Sequence, residues 1–171
     1  MKKVTSAYAN KLLKQLNEEK SYWLQLESEC CTYVVANGEE AVIPEYDYQT
    51  VAKTIEGLDR KIATIKHAIN CYNVTTFLTL EDGQSMTIDQ ALVVMAQLNR
   101  RKQQLDYMRK LQPKQRKENS YMRSNNLIEY MYVNYDLNLV KQEFEHISEE
   151  IMEIQMKLDQ LNQTIEFGIE I

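Results

Sequence analysis

Leu137, Val140, Phe144, Ile147, Ile151, Ile154, Leu158, Leu161 and Ile165 stand alternately three and four residues apart. An apolar residue every 3.5 positions keeps one narrow stripe on a single face of a long helix. Such a stripe needs a partner helix to cover it. A second seam, Val51, Ile55, Leu58, Ile62, Ile65, Ile69 and Tyr72, repeats the pattern without a miss. The chain has only four Gly and two Pro in 171 residues, which favours long elements and few turns. The expectation is a mainly α fold: a long-helix antiparallel four-helix bundle or coiled coil, with a small β hairpin or sheet element at the helix ends.

Four helices are expected. The first runs from about Thr5 to Tyr33 on a stripe of Tyr8, Leu12, Leu16, Trp23, Leu26, Cys30 and Tyr33, with Glu19 interrupting it. Asn37-Gly38 marks its stop. The second starts at Asp47 as N-cap, with Tyr46 and Val51 as a hydrophobic staple. The third starts at Thr87, with Gln90 at the reciprocal capping-box position and Met86/Ala91 as staple. It carries Ala91, Val94, Leu98, Leu105 and Met108, is interrupted by Arg101, and ends before Pro113. Asp136 caps the fourth, with Tyr135/Val140 as staple.

Between the helices the period changes. Residues 74–80 are β-branched and apolar, and Glu81-Asp82-Gly83-Gln84 reads as a tight turn, so a short hairpin is expected. Residues 113–126 read as polar and irregular, 127–135 as strand, and 164–171 alternate like a terminal strand. Adding 89 to the second helix lands on the fourth: Ile62/Ile151, Ile65/Ile154, Ile69/Leu158, Tyr72/Leu161, Asn73/Asn162 and Thr75/Thr164. The chain is therefore one helical domain, 1–171, or two pseudo-repeated halves, about 1–80 and 87–171. The alternative is that any two heptad seams align. In either case the two post-helix strands are expected to pair with one another and cover each other's edges.

Chemistry is sparse. Glu143 and His146 have the Glu-x-x-His spacing of carboxylate di-metal sites. The second half is missing, because Thr64 precedes His67 by three. The seam points Phe144 and Ile147 inward and His146 outward. Cys30, Cys31 and Cys71 show no ligand spacing and read as reduced, packed thiols, with the vicinal pair as an alternative redox or metal handle. No catalytic site, metal site or cofactor is expected, and no enzyme. Lys2 and Lys3 precede a stretch too short and polar for a signal sequence, and no run reaches the roughly 18 apolar residues of a membrane span. A cytoplasmic location without membrane contact follows as the expectation.

Charge is the one functional hint. Arg100, Arg101, Lys102, Arg109, Lys110, Lys114, Arg116, Lys117 and Arg123 stand against Asp106 and Glu118. That segment carries +7, leaving −12 elsewhere in a chain of net charge −5. With Tyr107 and Tyr121 nearby it suits a nucleic-acid backbone with ring stacking. The alternative is pairing, within or between subunits, with the acidic fourth helix at Glu143, Glu145, Glu149, Glu150 and Glu153. Met95, Met108, Met152 and Met156 read as core gap-fillers, and the last two widen the apolar face toward a second neighbour.

Three passages carry a resemblance: Leu58-Asp59-Arg60-Lys61-Ile62 through Asn70 to Thr75-Thr76; Asp82-Gly83 with Thr87-Ile88-Asp89-Gln90-Ala91-Leu92 and Arg100-Arg101; and the strand before the fourth helix with Leu158-Asp159-Gln160-Leu161-Asn162-Gln163-Thr164. Over roughly residues 50–171 the layout resembles the bacterial septicolysin family of small helical proteins, a domain of unknown function. The resemblance implies a helical bundle with a small β element, assembled into oligomers. The family name implies a cytolysin, which the lack of a basic amphipathic helix or long apolar run does not favour. These are packing and turn motifs, so no catalytic residue is carried over.

The expected function is a structural or protein-interaction role by self-association through the heptad helices, with an unidentified protein partner. Glu19 and Arg101 would specify register by inter-helix pairing. The alternative is nucleic-acid binding through residues 100–123, and a membrane-active role ranks below both.

Overall fold

A computed structural model of the chain describes residues 1–117 and 128–170. In chain order the elements are β1 (Lys2–Thr5), α1 (Ser6–Cys30), α2 (Tyr48–Thr75), β2 (Phe77–Thr79), β3 (Ser85–Thr87), α3 (Ile88–Met108), β4 (Lys114–Arg116), β5 (Tyr130–Tyr132), α4 (Leu137–Thr164) and β6 (Glu166–Ile169). The fold is mainly helical, with antiparallel two-stranded ladders β1–β6, β2–β3 and β4–β5. The chain forms two compact units. One comprises Met1–Thr76 with Asp159–Ile171, and the other Phe77–Leu158.

In the first unit α1 packs on α2. Lys20 Nζ lies 2.6 Å from Asp59 Oδ1 and Tyr46 donates to Glu27 at 3.2 Å, so rising numbers on α1 meet falling numbers on α2 and the helices run antiparallel. Their shared core is Ala9, Leu13, Leu16, Leu58, Ile62 and Ile65, closed at one end by Val4 and Ile169 of the β1–β6 ladder. Each fully buried aliphatic side chain there contributes roughly 1.5–3 kcal/mol of burial free energy. In the second unit Leu105 of α3 packs with Val140 and Ile147 of α4, with Leu98, Phe144 and Ile151 against them. Tyr135 donates to the Met108 carbonyl at 2.7 Å, which ties the start of α4 to the end of α3.

The helix starts are built as their residues dictate. Asp47 accepts from the Thr50 N–H, Asp136 from those of Asn138 and Leu139, and Thr87 and Gln90 form a reciprocal capping box. The turn after β2 uses Gly83 at φ +86°, a conformation open to glycine at little cost.

Element order and detail repeat. The order β–α–α–β occurs as β1-α1-α2-β2 and, with β4 and β5 inserted between the helices, as β3-α3-α4-β6. An offset of 82 carries α1 onto α3 and one of 89 carries α2 onto α4. Thr5 and Thr87 are equivalent caps, and Ala9 and Ala91 are both fully buried. Asn17 and Asn99 each donate to the carbonyl four residues back. Thr75 and Thr164 close the ends of α2 and α4 with the same hydroxyl-to-carbonyl bond at 2.7 Å. The ladders follow suit: Phe77 opposite Thr87 corresponds to Glu166 opposite Thr5.

Several expectations are corrected. The strands after α2 and α4 do not pair with each other. Each pairs with the strand that opens the other repeat, because β1, a strand not expected at all, supplies an edge for β6. The first helix ends at Cys30, and Asn37-Gly38 instead forms a separate turn with Gly38 at φ +92°. The buried face of α1 is Ala9, Leu13 and Leu16, while Tyr8 is exposed. Lys20, not Glu19, therefore occupies the interrupted seam position, and Glu19 is exposed. On α3 the equivalent residue is the half-buried Lys102, and Arg101 is exposed. Ile165 lies beyond the end of α4, outside its seam. Residues 114–116, expected to be irregular, form β4.

Candidate functional surfaces

The seam residues divide between the units. Val51, Leu58, Ile62, Ile65 and Tyr72 are buried on α2, with Ile55 and Ile69 half-buried. On α4 Val140, Ile147, Ile154 and Leu158 are buried, and Leu137, Phe144, Ile151 and Leu161 half-buried. The half-buried positions mark a stripe wider than one neighbouring helix covers.

Several cations of the basic segment already have partners within the chain. Arg109 and Lys110 both bind Asp106 on their own helix, the arginine through Nη2 at 2.6 Å and Nε at 2.8 Å. Hydrogen bonds from Lys110 and Arg109 hold the Asp106 carboxyl below the usual range. Arg109 and Lys102 also cover the Phe144 ring, at 3.9 and 5.4 Å from its centroid. Lys117 pairs with Glu129 at 3.3 Å. Among the described residues, the expected pairing with Glu143, Glu145, Glu149, Glu150 and Glu153 does not form within the chain. Asp106, one turn away, reaches the same cations at lower entropic cost. Arg100 and Arg101 are exposed, Tyr107 too, while Arg123, Glu118 and Tyr121 lie outside the described residues.

Sequence reasoning passed over the ribbon β4–β5. Its register sets Lys114 opposite Tyr132 and Arg116 opposite Tyr130, and alternation puts these four on one face, with Gln115 and Met131 on the other. All six are exposed. Lys114 Nζ sits 4.2 Å from the Tyr130 centroid and 5.4 Å from that of Tyr132. The signal was the alternation in Lys-Gln-Arg and Tyr-Met-Tyr, hidden because the two halves lie far apart in sequence. The ribbon also stands between α3 and α4, where the first repeat has only the strandless connection 31–47. Elaborations of a repeat at such a connection commonly carry its specific contacts.

Two grooves hold the remaining candidates. In the first unit a groove of about 510 Å³ is lined by His67, Cys71, Tyr72, Glu166 and Phe167 among others. His67 Nε2 and Cys71 Sγ stand 3.6 Å apart, one turn apart on α2. In the second unit Arg101, Glu143 and His146 line a groove of about 420 Å³ beside Leu105 and Val140. His146 is exposed. Among the described residues no three His, Cys, Asp or Glu side chains are grouped to hold a metal ion. Cys30, Cys31 and Cys71 are free thiols, Cys30 half-buried and the other two exposed. Among the described residues no helix is long and apolar enough to cross a membrane.

No protein-family model and no curated protein sequence matches the chain. A solved structure does: a functionally unknown conserved protein from Corynebacterium diphtheriae, 16% identical, with a TM-score of 0.68 over 98% of this chain and 100% of that one. At that identity the likeness is one of fold.

Proposed function

We propose that this protein is a non-enzymatic, cytoplasmic interaction protein that self-associates through its helices, which complete a larger helical bundle with those of a second copy. The observation that carries this reading is the incompletely covered seam: Ile55 and Ile69 on α2 and Leu137, Phe144, Ile151 and Leu161 on α4 are only half-buried. A stripe wider than one neighbouring helix covers leaves room for a further helix.

The apolar side chains left in water agree. Tyr22, Leu24, Leu92, Val93, Leu139, Met152 and Met156 are exposed on helices, and Ile151 and Leu161 are only half-covered. Oligomeric assembly also fits the septicolysin-like layout, a kinship we put forward on the motifs quoted for it. Sedimentation equilibrium over a range of concentrations tests the reading. The expected mass is at least twice 20.2 kDa. A single species of monomer mass throughout would remove it.

A further inference from the structure

We infer that the basic, aromatic face of the β4–β5 ribbon docks on the outward face of α4 in a second copy of this chain. The inference rests on the self-association proposed above and adds to its helix–helix contacts a second one, of the ribbon on α4.

Two surfaces of the second unit are each incomplete alone. The ribbon face presents two cations and two phenol rings, Lys114, Arg116, Tyr130 and Tyr132, all exposed. The outward face of α4, opposite the buried Ile147, Ile154 and Leu158, presents Glu145, Glu149, Met152 and Met156 in steps of four, three and four. Met152 and Met156 are 58% and 66% exposed. Among the described residues none of Lys114, Arg116, Glu145 and Glu149 enters an ion pair.

The faces match in chemistry, and the two charged pairs match in spacing. Alternate residues on a strand lie about 7 Å apart, and residues four apart on a helix about 6 Å. Two cations on the strand therefore meet two carboxylates on the helix. The phenol rings flank the cations across the ladder, and the nearer ring meets the thioether of Met152, the next residue of the column, in a favourable sulfur–aromatic contact. In a two-fold dimer each copy gives one ribbon and receives one, so every pair is made twice and the assembly closes.

A second copy fits better than a nucleic acid. The basic segment of +7 is answered within the same chain by an excess of −12, and the acidic column of α4 repels a phosphate backbone approaching the same unit.

The test uses sedimentation equilibrium of the full chain as wild type, as Lys114→Glu/Arg116→Glu, as Glu145→Lys/Glu149→Lys, and as an equimolar mixture of the two variants. Far-UV circular dichroism checks that each variant is folded. The expected result is association of the wild type that weakens with salt, weakening of roughly a hundredfold in each variant, and recovery in the mixture, where opposite charges meet again. Salt-insensitive association of the unaltered protein overturns the inference. So does a variant that associates like the wild type, and self-association then stands with its interface elsewhere. A wild type that is monomeric removes both readings. Salt-sensitive binding of single-stranded RNA, lost in Lys114→Glu/Arg116→Glu with association unchanged, assigns the ribbon to nucleic acid and also overturns the inference.

Discussion

Tyr72 donates its phenolic hydrogen to the main-chain carbonyl of Leu161 at 3.1 Å, and the two residues hold equivalent places in the two repeats. The Tyr72 ring stacks on Phe167, with centroids 4.8 Å apart. Removing the hydroxyl with Tyr72→Phe leaves the ring packing and takes away one of the two hydrogen bonds that the Leu161 carbonyl accepts, the other coming from the Ile165 N–H at 3.0 Å. A loss of about 0.5–1.5 kcal/mol is expected in urea denaturation.

The same residue sets an alkaline limit. Burial raises the Tyr72 phenol above 10.0. Below that pH the phenol is neutral in both the folded and unfolded chain, and contributes no pH dependence. Above it the unfolded chain loses the proton first, so stability falls as pH rises toward the folded value. Melting temperatures measured across this range should fall less steeply in Tyr72→Phe than in the wild type.

Asp106 works in the opposite direction. Its folded carboxyl titrates below the ordinary aspartate value of 3.8 because Lys110 and Arg109 donate to it. The stabilisation it gives is complete above the unfolded value and is lost as pH falls through the folded one. Carbon-13 NMR should find Asp106 titrating below the ordinary aspartate value, and Asp106→Asn should flatten the acid limb of the stability curve.

The capping box at α3 is a local test. Thr87 accepts from the Gln90 N–H at 3.2 Å and its own N–H donates to the Gln90 side chain at 3.0 Å. Thr87→Ala should cost about 0.5–2 kcal/mol in thermal unfolding, while the more exposed Asp89→Ala should cost less.

Core truncation should be felt most at Ile65, which is fully buried between α1 and α2. Ile65→Ala is expected to cost about 2–5 kcal/mol by chemical denaturation. The same change at the half-buried Ile69 should cost clearly less.

What the sequence made legible was what local chemistry decides. Asp47, Thr87 and Asp136 announce their helices because a cap is satisfied within four residues. The hairpin at Phe77–Thr87 is legible for the same reason. The face of α1 was not, since choosing Leu13 over Leu12 depends on which neighbour covers it, and that shift by one residue moved the seam interruption from Glu19 to Lys20. β1 was invisible because Lys2-Lys3-Val4-Thr5 holds one buried residue and is a strand only by virtue of Ile169 and its neighbours. The ribbon was missed because Lys114-Gln115-Arg116 read as irregular, which left the strand expected within 127–135 without a partner.

The exchange of strands between repeats has a kinetic consequence. Residues 2–5 cannot find their partners until residues 166–169 have been synthesised, so the first helix pair leaves the ribosome with one end of its core uncapped. Closing that ladder brings together points separated by nearly the whole chain, at the entropic cost of a very long loop. The two helical hairpins, built from near contacts, have time to form first, and the β1–β6 ladder then closes over a core that is already assembled.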